Sequence, residues 1–260
     1  VSDGTEFQMI RVPGPPPGVA EVGVIWQPPD AWLIYSPVGV VKTNHPGTLA
    51  AMYEETGAFW GTQAGSLYFS GKLGSPYTDN GDGRAEKAYL SLIRAAVRYA
   101  VGSIRFGLEK QKADLVMGYA PYPDATSHMM DAYFRQAMKG KDSGAARRMA
   151  QTQASVYQML DEAFGEVLEM AKEHGAALAV VSDHGMDGKF DAGGPLKTGG
   201  HDSDWAKPER LQAIFYMSGP GVPAKALGPI PQRDACPTFC AYLGIQPPAQ
   251  SVGQNRFTSP

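Results

Sequence analysis

The sequence predicts an α/β layered domain preceded by a β-rich module, and three observations carry that prediction. Residues 84–112 and 143–174 place apolar residues at three-to-four spacing, the signature of amphipathic helices. Short apolar runs follow them, Asp114–Tyr119, Ala177–Val181 and Gln212–Met217, of which the continuously apolar Ala177–Val181 reads as a strand buried on both faces. Residues 1 to about 80 have another texture, in which turn signals alternate with short apolar runs.

In that front module the turns fall at Pro13-Gly14-Pro15-Pro16-Pro17-Gly18, Pro28-Pro29, Pro46-Gly47 and Asn80-Gly81-Asp82-Gly83. Between them Val22–Trp26, Trp32–Tyr35 and Ser66–Phe69 are expected as short strands. The first helix follows, with Leu90, Ile93, Val97, Ala100/Val101, Ile104 and Leu108 on its apolar face. After the strand expected at Asp114–Tyr119, a Pro-rich loop is expected to run to His128. The second helix puts Met149, Val156, Met159/Leu160, Ala163, Val167 and Met170 on one face, and Gly175 stands at its C-terminal cap. Asp234 is placed to N-cap a last helix over 235–243, closed by Gly244. The alternation of helices and strands argues for a mostly parallel sheet. The division expected is therefore 1–83, a β-rich insertion or cap, and 84–260, the α/β part.

Composition excludes several classes. With 23 Lys+Arg against 26 Asp+Glu the formal charge is −3, which disfavours a surface that coats nucleic acid or an anionic membrane. No apolar run approaches the ~18 residues of a membrane span. The first residues carry neither a cationic nor an apolar leader segment, and localisation is not readable from them. Cys236 and Cys240 are too few for a disulfide framework and, four apart in a helix, read as small buried residues.

Chemistry concentrates around three of the five histidines. Pro123-Asp124-Ala125-Thr126-Ser127-His128 and Ser182-Asp183-His184-Gly185-Met186 each follow an expected strand, and His201 ends Thr198-Gly199-Gly200-His201. Loops beyond strand carboxyl ends form the site crevice of open α/β sheets. An Asp and a His four apart can share one ion from a helical turn or tight loop. Adjacent Asp183 and His184 would face opposite ways on a strand, so they can serve one site only where the strand breaks, as Gly185 permits. Carboxylate oxygen with imidazole nitrogen suits Zn²⁺, with Mn²⁺ or Fe²⁺ as alternatives. Each motif alone reads equally as an ion pair or a turn; their joint placement is what points to metal. His174 reads as a helix C-terminal cation and His45 as a loop residue.

Taken in order, Tyr119–His128, Ser182–Met186, Gly199–His201, and Asp234–Thr238 with Leu243-Gly244-Ile245 and Gly253 resemble the alkaline phosphatase superfamily, in its type I phosphodiesterase/nucleotide pyrophosphatase branch. The resemblance covers about residues 84–256. It implies an α/β/α sandwich and a two-metal hydrolase acting on small phosphate esters. Asp124, His128 and His201 would hold one ion; Asp183 and His184 would hold the other. The branch also uses an N-terminal Asp and a Thr or Ser nucleophile, and Thr43, in Thr43-Asn44-His45, is only a superficial match. The expectation is thus an incomplete sandwich whose chain lacks the nucleophile and one ligand, with weak turnover and open edges prone to self-association. Family habit would place the protein in the periplasm or outside the cell.

Other readings stand beside this one. The site could be an inherited metal-binding remnant without catalysis, or belong to a sulfatase or phosphomutase relative. Trp26, Trp32, Tyr35, Trp60, Tyr68 and Tyr77 could present a sugar- or partner-stacking surface, although aromatic residues of short strands are usually core. Tyr122, Lys189, Lys197 and Trp205 lie close enough to the motifs in sequence to contact substrate.

Overall fold

The structure, a computed structural model, describes residues 7–12, 18–27, 30–35, 46–57, 59, 63–140, 144–188, 199–201 and 212–257. It is mixed α/β and mostly helical. Chain contacts divide it into two compact units: Val1–Val167 with Gly188–Gly200, and Leu168–Asp187 with His201–Pro260.

The first unit opens with an antiparallel sheet of β1 (Phe7–Val12), β2 (Gly18–Gln27) and β3 (Asp30–Tyr35), in the order β1-β2-β3. Phe7 pairs with Gly23, and Val22 with Tyr35. The strands expected at Val22–Trp26 and Trp32–Tyr35 fall within β2 and β3, and β1 adds one the sequence pattern did not signal. The chain then becomes helical, with α1 (Pro46–Thr56) and α2 (Gln63–Phe69). Ser66–Phe69 is therefore a helix and not the strand expected. Three apolar or aromatic neighbours, Leu67, Tyr68 and Phe69, fit either period, and the choice falls to packing: Ala64 and Tyr68, one helical turn apart, both enter the core.

Helix α3 (Arg84–Glu109) is the spine of this unit. Its buried face is wider than the three-to-four stripe suggested, taking in Ala85, Ala88, Tyr89, Leu92, Ile93, Ala95, Ala96, Val101 and Phe106. Both α1 and α2 pack on it. Close approach is bought with glycine: a Cβ on Gly102 would stand 3.0 Å from Thr56 of α1. Glu86, in the first turn, is buried and accepts hydrogen bonds from the Tyr68 hydroxyl at 2.5 Å and the Tyr77 N–H at 2.9 Å. Burial, then the bond to Glu86, pushes the Tyr68 hydroxyl far above its ordinary value, so it stays a donor. Leu73, Ala64 and Tyr68 share one core with α3, α4 and α5, so packing runs straight through the division expected at residue 83. Tyr68 is core and Tyr77 lies under the Arg148 guanidinium at 4.5 Å, which favours packing over a stacking surface for these two. The side chains of Trp26, Trp32, Tyr35 and Trp60 lie outside the described residues.

Asp114–Tyr119 is not a strand. Val116 packs on α3, 2.8 Å from where a Cβ on Gly107 would be, while Leu115, Met117 and Tyr119 point outward at 58%, 87% and 76% exposure. The run keeps the two-residue alternation of a strand, but among the described residues no strand pairs with it. The loop expected before His128 is instead α4 (Tyr122–Met138). Pro121 and Pro123 do not prevent it, because a first-turn N–H has no helical acceptor and its loss costs nothing. Helix α5 (Gly144–Glu173) matches the second helix, and Gly175 closes it at φ +61°.

The second unit carries β4 (Leu178–Val181), β7 (Phe215–Ser218) and α6 (Ala235–Leu243); two short strands, β5 (Asp187–Gly188) and β6 (Gly199–Gly200), lie between β4 and β7 in sequence. β4 and β7 pair antiparallel, Leu178 with Ser218 and Val181 with Phe215, which corrects the mostly parallel sheet expected. Element order does not fix strand direction; the long-range register does. Val181 is 51% exposed, so β4 is not buried on both faces either. The Phe215 ring stacks on Phe239 of α6 at 5.6 Å.

Asp234 precedes α6 but makes no side-chain cap. Its buried carboxylate accepts the Gln254 N–H at 2.9 Å and the Arg256 Nε–H at 2.5 Å, clasping the C-terminal tail. Gly253 is needed there, since a Cβ would stand 2.0 Å from the Arg233 carbonyl oxygen. Of the two cysteines Cys240 is buried and Cys236 exposed, so only one behaves as the core residue expected.

Two outcomes follow from this packing. Met130, wholly buried in the first unit, should cost ~2–5 kcal/mol on substitution by alanine, read by urea unfolding. The Gln254 N–H and then Arg256 hold the Asp234 carboxyl below its usual value of 3.8. The clasp is therefore at full strength above pH 3.8 and is lost as pH falls through the lowered value. Residues 250–257 should become protease-sensitive only in that acid range, and at neutral pH in Asp234→Asn.

Candidate metal centre

In the first unit, Asp124 and His128 sit one turn apart on α4, both half-exposed, with Asp124 Oδ1 3.3 Å from His128 Nε2. A charge-assisted N–H···O bond closes to about 2.7–2.9 Å. Two ligands on one tetrahedral Zn²⁺, each about 2.0–2.1 Å from it, stand about 3.3–3.4 Å apart. The observed spacing suits two donors sharing an ion better than a direct bond. Asp131 lies on the same face of α4, but Arg135 takes its carboxylate at 2.5 Å. The opposite face is buried: Met129 and Met130 enter the core, and the Thr126 hydroxyl is 2.7 Å from that of Tyr89. Gly199–Gly200 of β6 lies beside α4, and His201 follows it directly in the chain.

In the second unit, the strand break that Asp183 and His184 require is present. β4 ends at Val181, and the Ser182 hydroxyl replaces the next ladder position by accepting the Ile214 N–H at 2.8 Å. Gln232 donates to the carbonyls of Ser182 and Asp183, at 3.4 and 3.1 Å, and steadies the turn. No motif announced Gln232 in the sequence, because only the folded turn brings it to those carbonyls.

The turn sets the histidine tautomer. His184 Nδ1 lies 2.9 Å from the Gly185 carbonyl oxygen. A carbonyl only accepts, so in the neutral ring that bond places the proton on Nδ1 and leaves the lone pair on Nε2, as in metal-ligating histidines held by a backbone carbonyl. His184 Nε2 is 3.5 Å from Asp183 Oδ1. Two acceptors at that distance repel unless a cation lies between them. The His184 and His201 rings stack at 3.6 Å and 14°, and a ring nitrogen of each lies within 4.8 Å of the other. The donor set and its spacings therefore fit a divalent ion.

Of the remaining sequence-predicted residues, Tyr122 is core and not pocket: it is 2% exposed, and burial pushes its hydroxyl up to about 12. Thr43, Lys189, Lys197 and Trp205 lie outside the described residues.

Comparison with curated proteins and with solved structures gives no match. The model of the family described as type I phosphodiesterase / nucleotide pyrophosphatase does match, over residues 23–227. That span begins inside the stretch expected to be an insertion and takes in half of β2 with β3, α1 and α2. With more than three quarters of its length matched, the chain belongs to the type I phosphodiesterase/nucleotide pyrophosphatase family of the alkaline phosphatase superfamily.

Proposed function

We propose that this protein is a metal-dependent hydrolase of small phosphate esters, with a preference for phosphodiesters or pyrophosphates. The observation that carries the reading is a pair of aspartate–histidine couples, Asp124/His128 and Asp183/His184, each with its donors 3.3–3.5 Å apart. Family membership supplies the reaction class. In this reading Asp124, His128 and His201 hold one ion and Asp183 with His184 holds a second, with Zn²⁺ favoured over Mn²⁺ and Fe²⁺ by the donor set. Bound ions would neutralise phosphoryl oxygens and polarise the phosphorus centre.

The chain's own residues then have distinct tasks. Helix α4 presents Asp124 and His128 as a rigid couple, so neither side chain need be reordered when phosphate arrives. The Gly185 carbonyl keeps His184 in the Nε2-ligating tautomer. Gln232 holds the Asp183 backbone and with it the carboxylate's starting point. For the architecture we propose the α/β/α sandwich of the superfamily, with β1–β3 as part of a cap.

Tightly bound metal after dialysis tests the reading. Elemental mass spectrometry should find one or two zinc-class ions per wild-type chain and fewer in His201→Ala; a metal-free wild-type chain would reject it. Hydrolysis of bis(4-nitrophenyl) phosphate should be metal-dependent and fall at least about a hundredfold in Asp183→Ala, the scale of losing several kcal/mol of charge stabilisation. Metal bound with no turnover of any phosphate ester would leave a binding module instead.

A further inference from the structure

We propose that the hydroxyl pair Tyr89–Thr126 is a positioning device for the metal-binding turn of α4, an inference that rests on the metal reading given above. The two oxygens are 2.7 Å apart, and both residues are fully buried. Thr126 lies midway between Asp124 and His128 in sequence. At about 100° per residue, Asp124 and His128 are only about 40° apart around the helix, whereas Thr126 is about 200° from Asp124. Locking Thr126 inward therefore turns both candidate ligands outward together. The apolar residues of that inner face, Met129 and Met130, set how deeply α4 sinks but resist rotation weakly, because thioether side chains refill gaps easily. A directional bond between buried hydroxyls does resist rotation, since turning α4 would leave both oxygens without a partner.

A second contact acts on the same turn. Ser127, 2% exposed, has its Oγ 3.4 Å from both Gln153 Nε2 and the Tyr157 hydroxyl on α5. Gln153 is itself 1% exposed, and its Oε1 has no hydrogen-bond partner among the described residues. A buried amide kept at that cost, within reach of the residue beside a candidate ligand, fits a role in aiming the turn better than a role in stability alone. Tyr89 comes from α3 and Gln153 from α5, so two different helices fix the rotation of α4.

The test is Zn²⁺ affinity of the metal-stripped full chain, by calorimetric titration well below the melting temperature. Thr126→Val and Tyr89→Phe should each weaken binding about tenfold or more, the scale seen when a group that orients a metal ligand is lost. Thr126→Ser, which keeps the hydroxyl, should bind within about twofold of wild type. Ile93→Val, a buried change in the same core, should lower the melting temperature and leave the affinity alone. Wild-type affinity in folded Thr126→Val and Tyr89→Phe would overturn the positioning role while sparing the metal reading. An equal loss in Ile93→Val would also overturn it, by reducing the effect to general stability. No Zn²⁺ binding by the wild-type chain would overturn the metal reading and this inference together. Should Thr126→Val not fold, Tyr89→Phe carries the test, because it removes one oxygen and keeps the ring.

Discussion

In its neutral Nδ1–H form, His184 turns the Nε2 lone pair toward Asp183 Oδ1 at 3.5 Å, two negatively polarised atoms facing one another. The carbonyl of Gly185 removes the usual remedy by drawing the imidazole proton to Nδ1. A divalent cation between the two atoms would resolve the conflict. The surrounding structure serves this arrangement: the strand stops at Val181, Ser182 turns its hydroxyl into the ladder, and Gln232 pins the turn.

The first unit solves a related problem with different means. Asp124 and His128 ride on a helix, so their mutual spacing comes from helical geometry and their direction from whatever fixes the helix's rotation. The core behind α4 is rich in methionine and alanine, which fill space without strongly preferring one orientation. Polar bonds at Tyr89–Thr126 and around Ser127 supply the missing directionality. Helix α3, which carries Tyr89, is itself anchored by α1 at Gly102 and by the Tyr68–Glu86 bond. A displacement of α3 would thus reach the candidate ligands through Thr126.

Strand edges show where pairing among the described residues stops. Leu115, Met117 and Tyr119 form an outward apolar row on a segment that packs on α3 through Val116 and Gly118. In the second unit Val181, Ile214 and Tyr216 are likewise exposed on or beside a two-stranded sheet. Water must hydrate these rows and the backbone edges beside them, which is why such segments bury little of their strand-like pattern.

Local pattern was enough for the elements whose stability is local. Helices α3, α5 and α6 were legible because three-to-four spacing and terminal glycines such as Gly175 and Gly244 act over a few residues. The candidate ligands were legible too, since Asp, His and Gly in those groupings limit the chemistry, and the family's motifs lie in order along the chain. Long-range pairing decided the rest. Direction and burial of β4 and β7, the lack of a strand partner for Asp114–Tyr119 among the described residues, and the helical state of Ser66–Phe69 all depend on which neighbour arrives. Helix α4 hid behind two prolines whose missing N–H groups matter only away from a helix start. Asp234 looked like a cap, yet a buried carboxylate prefers the donors that desolvate with it, and the tail brought Gln254 and Arg256. Which tautomer His184 takes, and which way α4 faces, are set by single hydrogen bonds between residues far apart in sequence or by a carbonyl whose direction only the folded turn fixes.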